Sequence, residues 1–173
     1  MHYDLKVPFD KKDIEKLNAG DSVTLCGKIL TGRDAAHKRL FECIRNGNKP
    51  PVDLSGQAIY YVGPCRKDGV IVSAGPTTSM RMDAYAPTLY DEGVFATIGK
   101  GDRSKQVYDA IVRNKCVYLA VIGGAGALYA KCIKDAKVLA YDDLGTEAIY
   151  EFDVENFDCI VAIDCNGESV YKN

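Results

Sequence analysis

The chain has 173 residues, of which 47% are hydrophobic and 27% are charged, and its formal net charge is −2 at pH 7. This size fits one domain, which we place over residues 1–173. The balanced charge argues against a nucleic-acid partner. The N-terminus has no apolar signal-peptide core, and the longest uncharged run, residues 116–130, is divided by glycines and too short to span a bilayer. We therefore expect a cytoplasmic protein without a membrane partner.

The seven cysteines are many for this length, yet no two of them are spaced as C-x-x-C. Without a secretion signal, reduced thiols are expected rather than a disulfide framework. None of the cysteine spacings is that of an iron–sulfur ligand motif. The sequence therefore predicts no metal ligands of its own.

Hydrophobic periodicity predicts an α/β fold with a mixed sheet. In chain order, strands are expected at residues 4–9, 22–30, 57–62, 69–74, 94–98 and 117–122, and helices at 11–17, 36–44, about 77–86, 104–113 and from 123. We interpret residues 64–69 as a connection, and we expect Pro87 to interrupt the third helix. Later segments, 148–155, 159–164 and 169–171, predict strands, and Asn166-Gly167 predicts a hairpin between the last two. The C-terminal third is therefore expected to be an antiparallel meander on an α/β body.

The most distinctive stretch is Gly75–Asp83, which directly follows the strand predicted at 69–74. Pro76 and the three hydroxyl residues after it are typical of a helix start, where unpaired N–H groups also favour an anion. Thr77 and Arg81 are four residues apart, so a helix would place them on one face. This pattern predicts a carboxylate or phosphate site. The alternative is an ordinary helix cap followed by a surface arginine.

Two further corners follow predicted strands. Arg33 and His37 stand at i and i+4 where the 36–44 helix begins, and they combine a cation with a group that titrates near neutral pH. Lys100 stands between two glycines, but the spacing is not that of a P-loop. The plainer interpretations are a solvated Arg33, a His37 at the edge of the core, and a turn lysine.

The run Gly124-Ala125-Gly126 fits the start of a dinucleotide-binding G-x-G-x-x-G motif, but its third glycine position is Tyr129. Asp142 and Asp143 stand about where a ribose-binding acid would. A bulky third residue would spoil the close contact between helix and strand. Close helix packing, or a surface that faces a partner, explains these glycines better.

Four corners together carry a family resemblance: Gly32–His37, Gly75–Met82, Gly99–Gly101 and Asp143–Ala148. Their sequences, order and spacing resemble the C-terminal domain, or β subunit, of the iron–sulfur class I fumarases and L-tartrate dehydratases. The Gly-Pro-Thr-Thr-Ser-Met-Arg-Met run is very specific. The resemblance extends over about residues 3–172.

This resemblance implies a swivelling β/β/α domain and a hydro-lyase that interconverts a hydroxy-diacid with its dehydrated product. It also implies a 4Fe–4S cluster that binds substrate oxygens as a Lewis acid and is held by three cysteines of a larger domain. In two-subunit members that domain is a separate α polypeptide, so the expected partners are an α subunit, in a hetero-oligomer, and a small dicarboxylate substrate.

Carried over by motif, the resemblance makes Thr77 the candidate base that removes a proton from carbon. Arg33 and Arg81 become candidate carboxylate clamps, and Lys100 a third cation. His37 matches a family position sometimes given a catalytic role. A threonine hydroxyl ionises far above neutral pH, so nearby cations would have to lower its pKa.

We therefore expect the β subunit of a fumarate hydratase, chosen because fumarate–malate interconversion is the commoner metabolic role. The first alternative is an L-tartrate dehydratase β subunit, since both substrates are four-carbon diacids. Further alternatives are a dinucleotide-binding oxidoreductase module and a non-catalytic regulatory subunit.

Overall fold

In the computed structural model, which describes residues 1–121 and 125–172, the chain is a mixed α/β domain. The strands of this described part are β1 (His2–Val7), β2 (Ser22–Thr31), β3 (Ala58–Tyr60), β4 (Cys65–Lys67), β5 (Val70–Ser73), β6 (Ala96–Gly99), β7 (Val117–Ala120), β8 (Ile133–Ala140) and β9 (Ile149–Ile163). Its α-helices are α1 (Lys11–Glu15), α2 (Asp34–Arg45), α3 (Ala86–Asp91), α4 (Lys105–Asn114) and α5 (Gly126–Ala130), and short 3-10 helices cover Ser79–Met82 and Asp142–Glu147. None of these helices combines the length and the apolar character needed to cross a bilayer.

Seven of the strands form one sheet in the order β1-β2-β3-β6-β7-β9-β8, in which β1, β2, β3, β6 and β7 pair in parallel. Strand β9 runs antiparallel to β7 and also pairs antiparallel with β2 over most of its length. Because β9 bonds to both of these strands, β2, β3, β6, β7 and β9 close into a barrel. Strands β1 and β8 extend the sheet outside this ring.

Buried residues fill the barrel and the layer between the barrel and its helices. Val23, Leu25, Ile29 and Phe157 belong to one fully buried cluster that includes inward side chains of β2 and β9. A second cluster packs α2 and α3 against β2 and β3, and a third packs α4 against β7 and β9. This arrangement places the start of α2 and the loops after β3 and β6 at one end of the barrel.

The C-terminal meander is simpler than the sequence predicted. Two strands were expected, over residues 148–155 and 159–164, but both segments belong to the single strand β9. The two segments are joined because β2 pairs with β9 across the residues between them. The Asn166-Gly167 turn is present, but the expected return strand is reduced to one antiparallel bridge between Ile163 and Ser169. Strand β8, which the sequence analysis did not predict, is the antiparallel neighbour of β9.

The segment from Pro64 to Asp91 also corrects three expectations. The supposed connection contains β4, which pairs with β5 in a separate two-stranded sheet. The helix expected over 77–86 is only the 3-10 helix Ser79–Met82. Pro87 stands in the first turn of α3 rather than interrupting a helix, because a proline there gives up an N–H group that would have no helical partner.

Candidate active site

The Thr77 segment lies between the carboxyl ends of β3 and β6. The Thr77 amide donates to the Tyr61 carbonyl at 2.7 Å, and the Ser79 amide donates to the Lys100 carbonyl at 2.9 Å. Thr78 and Lys100 form a parallel β-bridge. The expected helix start at Thr77 is therefore wrong, because the backbone here is extended and takes its hydrogen bonds from the sheet. The same pairing places Thr78, the residue after Thr77, beside Lys100.

The 3-10 helix after Thr78 carries Arg81 to the start of α2. There the Arg81 guanidinium forms an ion pair with Asp34, which is the first residue of α2. Thr77 and Arg81 do not share a helix face, but the turn between them still brings both to the same corner as Arg33.

Arg33 is the N-cap residue of α2, and its side chain crosses the backbone just beyond β3. A Cβ atom on Gly63 would lie 2.9 Å from Arg33 Cδ and 3.0 Å from its Nη1, so a side chain at position 63 would displace the Arg33 side chain. The same Cβ would lie 3.6 Å from the Thr146 carbonyl. Arg39 of α2 also bonds Asp143 at 2.8 Å. The four corners that carry the family resemblance are thus brought together in space.

His37 is fully buried beneath Arg33. Its Nδ1 lies 2.8 Å from the Arg33 carbonyl, and because a carbonyl only accepts, Nδ1 carries the proton. Burial lowers the pKa of His37 to about 4; the bond to the Arg33 carbonyl works against this shift and the charge of Arg103 adds to it. His37 is therefore a neutral ring at pH 7 that contacts the Tyr61 ring edge-on at 5.2 Å between ring centroids.

Three buried side-chain atoms lack a hydrogen-bond partner among the described residues: Arg33 Nε, Asp34 Oδ1 and His37 Nε2. All three belong to the Gly32–His37 corner. Buried polar atoms in folded proteins are nearly always hydrogen-bonded, so their concentration here makes this corner a candidate binding site. The Thr77 hydroxyl and the Lys100 ammonium likewise show no partner in residues 1–121 and 125–172.

The electrostatic balance of this corner is positive. Within the described part of the chain, Arg33 and Lys100 have no carboxylate partner, and Arg81 has Asp34. A fixed guanidinium can bond a carboxylate through two parallel N–H groups. The arrangement therefore suits a ligand that carries carboxylates.

A buried cation below the corner was missed by the sequence analysis. Arg103 donates from Nε to Asp83 at 2.7 Å, from Nη1 to Thr97 at 3.0 Å and from Nη2 to the Tyr61 hydroxyl at 3.1 Å. Its guanidinium also lies 4.7 Å from the ring centre of Tyr118. The positions of the two residues in the sequence could have indicated this pair, since Asp83 is the last residue of the Gly75–Asp83 motif and Arg103 follows the Gly99–Gly101 corner.

Gly126 of the glycine-rich run packs against the central motif. A Cβ there would overlap Ser73 Oγ and approach the Gly75 amide nitrogen to 3.2 Å. The Ala74 amide donates to the Gly126 carbonyl at 3.0 Å. Close helix packing thus explains this glycine; Gly123 and Gly124 lie outside the described residues.

The cysteines of the described part do not fit an iron–sulfur cluster. All seven are free and their exposure ranges from buried to exposed. No group of three His, Cys, Asp or Glu side chains in residues 1–121 and 125–172 could hold a metal ion.

An α/β domain that carries Arg33, Thr77, Arg81 and Lys100 on neighbouring loops at one end of its barrel offers cations with which an anionic ligand could pair. The sequence model of the family described as Fumarase C-terminus matches residues 1–173. This chain belongs to the fumarase C-terminus family.

Individual relatives fall into two sizes. A Methanocaldococcus jannaschii protein described as an L(+)-tartrate dehydratase subunit beta is 41% identical, over 94% of this chain and 87% of its own length. Fumarate hydratase 2 of Leishmania major is 37% identical over 98% of this chain but only 31% of its own length. The anaerobic class I fumarate hydratase of Escherichia coli is 38% identical over 87% of this chain and 28% of its own. The chain thus spans about a third of the length of the fumarate hydratases that it matches.

Proposed function

We propose that this chain is the β subunit of an iron–sulfur hydro-lyase that reversibly hydrates fumarate to malate in the cytoplasm. The observation that carries the proposal is the Gly32–His37 corner, where three buried polar atoms lack partners beside unbalanced cations. The closed barrel flanked by helices supports the swivelling β/β/α assignment that the family resemblance predicts.

In this proposal Arg33 and Arg81 bind the two carboxylates of the diacid, and Lys100 adds a third positive charge. Removal of a proton next to a carboxylate builds negative charge on carbon, and fixed cations that are already in place stabilise it. Asp34 holds the Arg81 guanidinium in position until substrate arrives.

Thr77 is the proposed base. Its backbone is fixed by the bond to Tyr61, while its hydroxyl has no partner among the described residues. The cations around the site lower the cost of ionising this hydroxyl. His37 remains a further catalytic candidate from the family resemblance, although its ring is fully buried and hydrogen-bonded to Arg33.

The 4Fe–4S cluster, in this proposal, is held by cysteines of an α subunit and not by this chain. Support comes from the two sizes of relative, because the subunit beta relative has nearly the extent of this chain and the fumarate hydratases are about three times longer. The test is anaerobic reconstitution of the purified chain with iron and sulfide. We expect a folded, colourless product, and a stoichiometric 4Fe–4S spectrum from this chain alone would contradict the proposal.

L-tartrate dehydration is the second candidate. One relative of nearly the same extent as this chain is described as an L(+)-tartrate dehydratase subunit beta. Fumarate and tartrate share the same carboxylate spacing, so the described cations accommodate both.

The function is tested by anaerobic co-expression of this chain with its α subunit, followed by assays of fumarate, malate and both tartrate enantiomers. We expect turnover of fumarate and malate, and preference for one tartrate enantiomer would favour the second candidate. A cluster-loaded pair that turns over none of these diacids would refute the hydro-lyase proposal.

A further inference from the structure

Ser79 stands between Thr77 and Arg81 in sequence, but its hydroxyl points away from the proposed site. The side chain is fully buried, and Oγ lies 2.7 Å from the Tyr118 hydroxyl. The sequence pattern predicts Ser79 as one of three helix-capping hydroxyls, yet the 3-10 helix has no side-chain cap. The hydroxyl is therefore used below the loop rather than at a helix end.

Tyr118 in turn contacts the loop that carries Lys100. Its hydroxyl donates to the Gly101 carbonyl at 2.7 Å. Because that carbonyl can only accept, the Tyr118 proton goes to Gly101 and Ser79 donates to the Tyr118 oxygen. One buried phenol thus joins the loop that carries Thr77 and Arg81 to the loop that carries Lys100.

The backbone reinforces the same junction. The Ser79 amide donates to the Lys100 carbonyl at 2.9 Å, and a Cβ on Gly99 would overlap Ser79 Oγ. Ser79 therefore fills a space that only a glycine at position 99 leaves open. Neither loop can shift without breaking a hydrogen bond or a close contact.

We propose that Tyr118, acting through Ser79, is a positioning residue that sets the separation between the Thr77–Arg81 loop and Lys100. This inference rests on the proposed function, because it gives that separation a role in aligning the base and the cations on one diacid. Misplacement of reacting groups by about 1 Å can cost about 100-fold in rate, so a small loosening of the two loops is expected to be measurable.

Tyr118→Phe removes only the hydroxyl and keeps the ring that lies against Arg103. Tyr90→Phe is the matched control, since Tyr90 is equally buried and its hydroxyl bonds Thr97 at 2.6 Å and the Val117 carbonyl at 2.8 Å. We expect both variants to lower the melting temperature by a similar amount. Only Tyr118→Phe should lower kcat/KM of the αβ enzyme, by about 10-fold or more.

The partner variant is Ser79→Ala. If both residues act through one hydrogen bond, the double variant with Tyr118→Phe should be no worse than the more damaging single variant, since coupled residues are not additive. If the double variant instead lowers kcat/KM by the product of the two single effects, the inference is overturned. It is also overturned if the Tyr118→Phe enzyme has the same kcat/KM as Tyr90→Phe.

Amide hydrogen exchange on the purified chain gives a second measurement that needs no substrate. We expect faster exchange at residues 77–81 and 99–101 in Tyr118→Phe than in Tyr90→Phe. Equal exchange in the two variants would refute the inference even if the enzyme proves to act on another substrate. A wild-type αβ pair without diacid activity would instead refute the proposed function.

Discussion

At the scale of single residues, the proposed chemistry depends on the hydroxyl of Thr77. A base acts mainly in the transition state, so Thr77→Ala should lower kcat by about 100-fold or more, with little change in KM. Thr77→Ser keeps a hydroxyl at the same place and should retain more activity. The measurement is anaerobic steady-state kinetics of the reconstituted αβ enzyme.

The neighbouring Thr78→Ala is the control, because Thr78 is exposed and caps no helix with its side chain. It should leave kcat nearly unchanged. If Thr77→Ala lowers the melting temperature but keeps a near-normal kcat, Thr77 is a structural residue and the base lies elsewhere.

His37 makes a prediction about pH. Its pKa is about 4 in the folded chain against an ordinary value of 6.5, because burial disfavours the charged ring. Between these values the unfolded chain binds more protons, so stability falls as the pH drops from 6.5 towards 4. The shift corresponds to about 3 kcal/mol of unfolding free energy.

Urea unfolding between pH 4.5 and 7.5 tests this prediction. His37→Gln should flatten the slope in that window, whatever it does to stability at pH 7. An unchanged slope in His37→Gln would show that other groups cause the acid sensitivity.

At the scale of secondary-structure elements, the turn after β9 depends on one carboxylate. Asp164 is buried; its Oδ1 accepts from the Asn166 and Glu168 amides at 2.9 and 3.1 Å, and its Oδ2 accepts from the Ala19 amide at 3.0 Å. The residue therefore ties the C-terminal turn to the loop before β2.

Asp164→Ala should cost about 2–4 kcal/mol of unfolding free energy, because it leaves buried N–H groups without an acceptor. Asp53→Ala, which removes one exposed turn bond to the Ser55 amide, should cost less than about 1 kcal/mol. Chemical denaturation of both variants gives the comparison. Equal losses would mean that the Asp164 bonds are replaced by water at little cost.

The elements that sequence reasoning found and missed differ in burial. Segments with a clear apolar face, such as β2 and α4, were predicted within a few residues because the pattern reflects the core. Strands β4 and β8 were missed, since β4 is exposed throughout and β8 is largely exposed. Hydrogen bonds to β5 and β9 hold these two strands in the extended conformation, although their own sequences show no apolar face.

The site shows the same division between local and tertiary information. Arg33, Thr77, Arg81 and Lys100 could be named as candidates because each lies in a short motif that follows an apolar strand. The Arg103–Asp83 pair and the Ser79–Tyr118 contact join residues that are distant in sequence. Only the closed barrel brings them together, so no local pattern could predict them.

At the scale of the whole molecule, the cationic corner lies at one end of the barrel, where the loops after β2, β3 and β6 meet. In parallel α/β sheets, whether open or closed into a barrel, ligands gather beyond the carboxyl ends of the strands. We therefore expect the α subunit to dock over the loops that carry Arg33, Thr77 and Lys100, which would enclose the substrate between the two chains.

Cross-linking of the αβ complex, or comparison of amide exchange with and without the α subunit, maps this contact. Residues 32–37, 75–82 and 99–101 should become protected. Protection limited to β8 and the C-terminal turn, with these loops unchanged, would place the interface elsewhere and separate it from the proposed site.

The closure of the barrel by β9 also has a kinetic consequence. Ser22 of β2 pairs with Ile160 of β9, so the ring joins residues from nearly opposite ends of the chain. Contacts between such distant residues slow folding, because a long loop must be ordered before they form. During synthesis, β2 and β7 each expose an unpaired edge until β9 leaves the ribosome, and exposed strand edges promote aggregation. The yield of the recombinant chain should therefore rise when a chaperone covers these edges, and it should fall when translation is slowed, because the edges then stay exposed for longer.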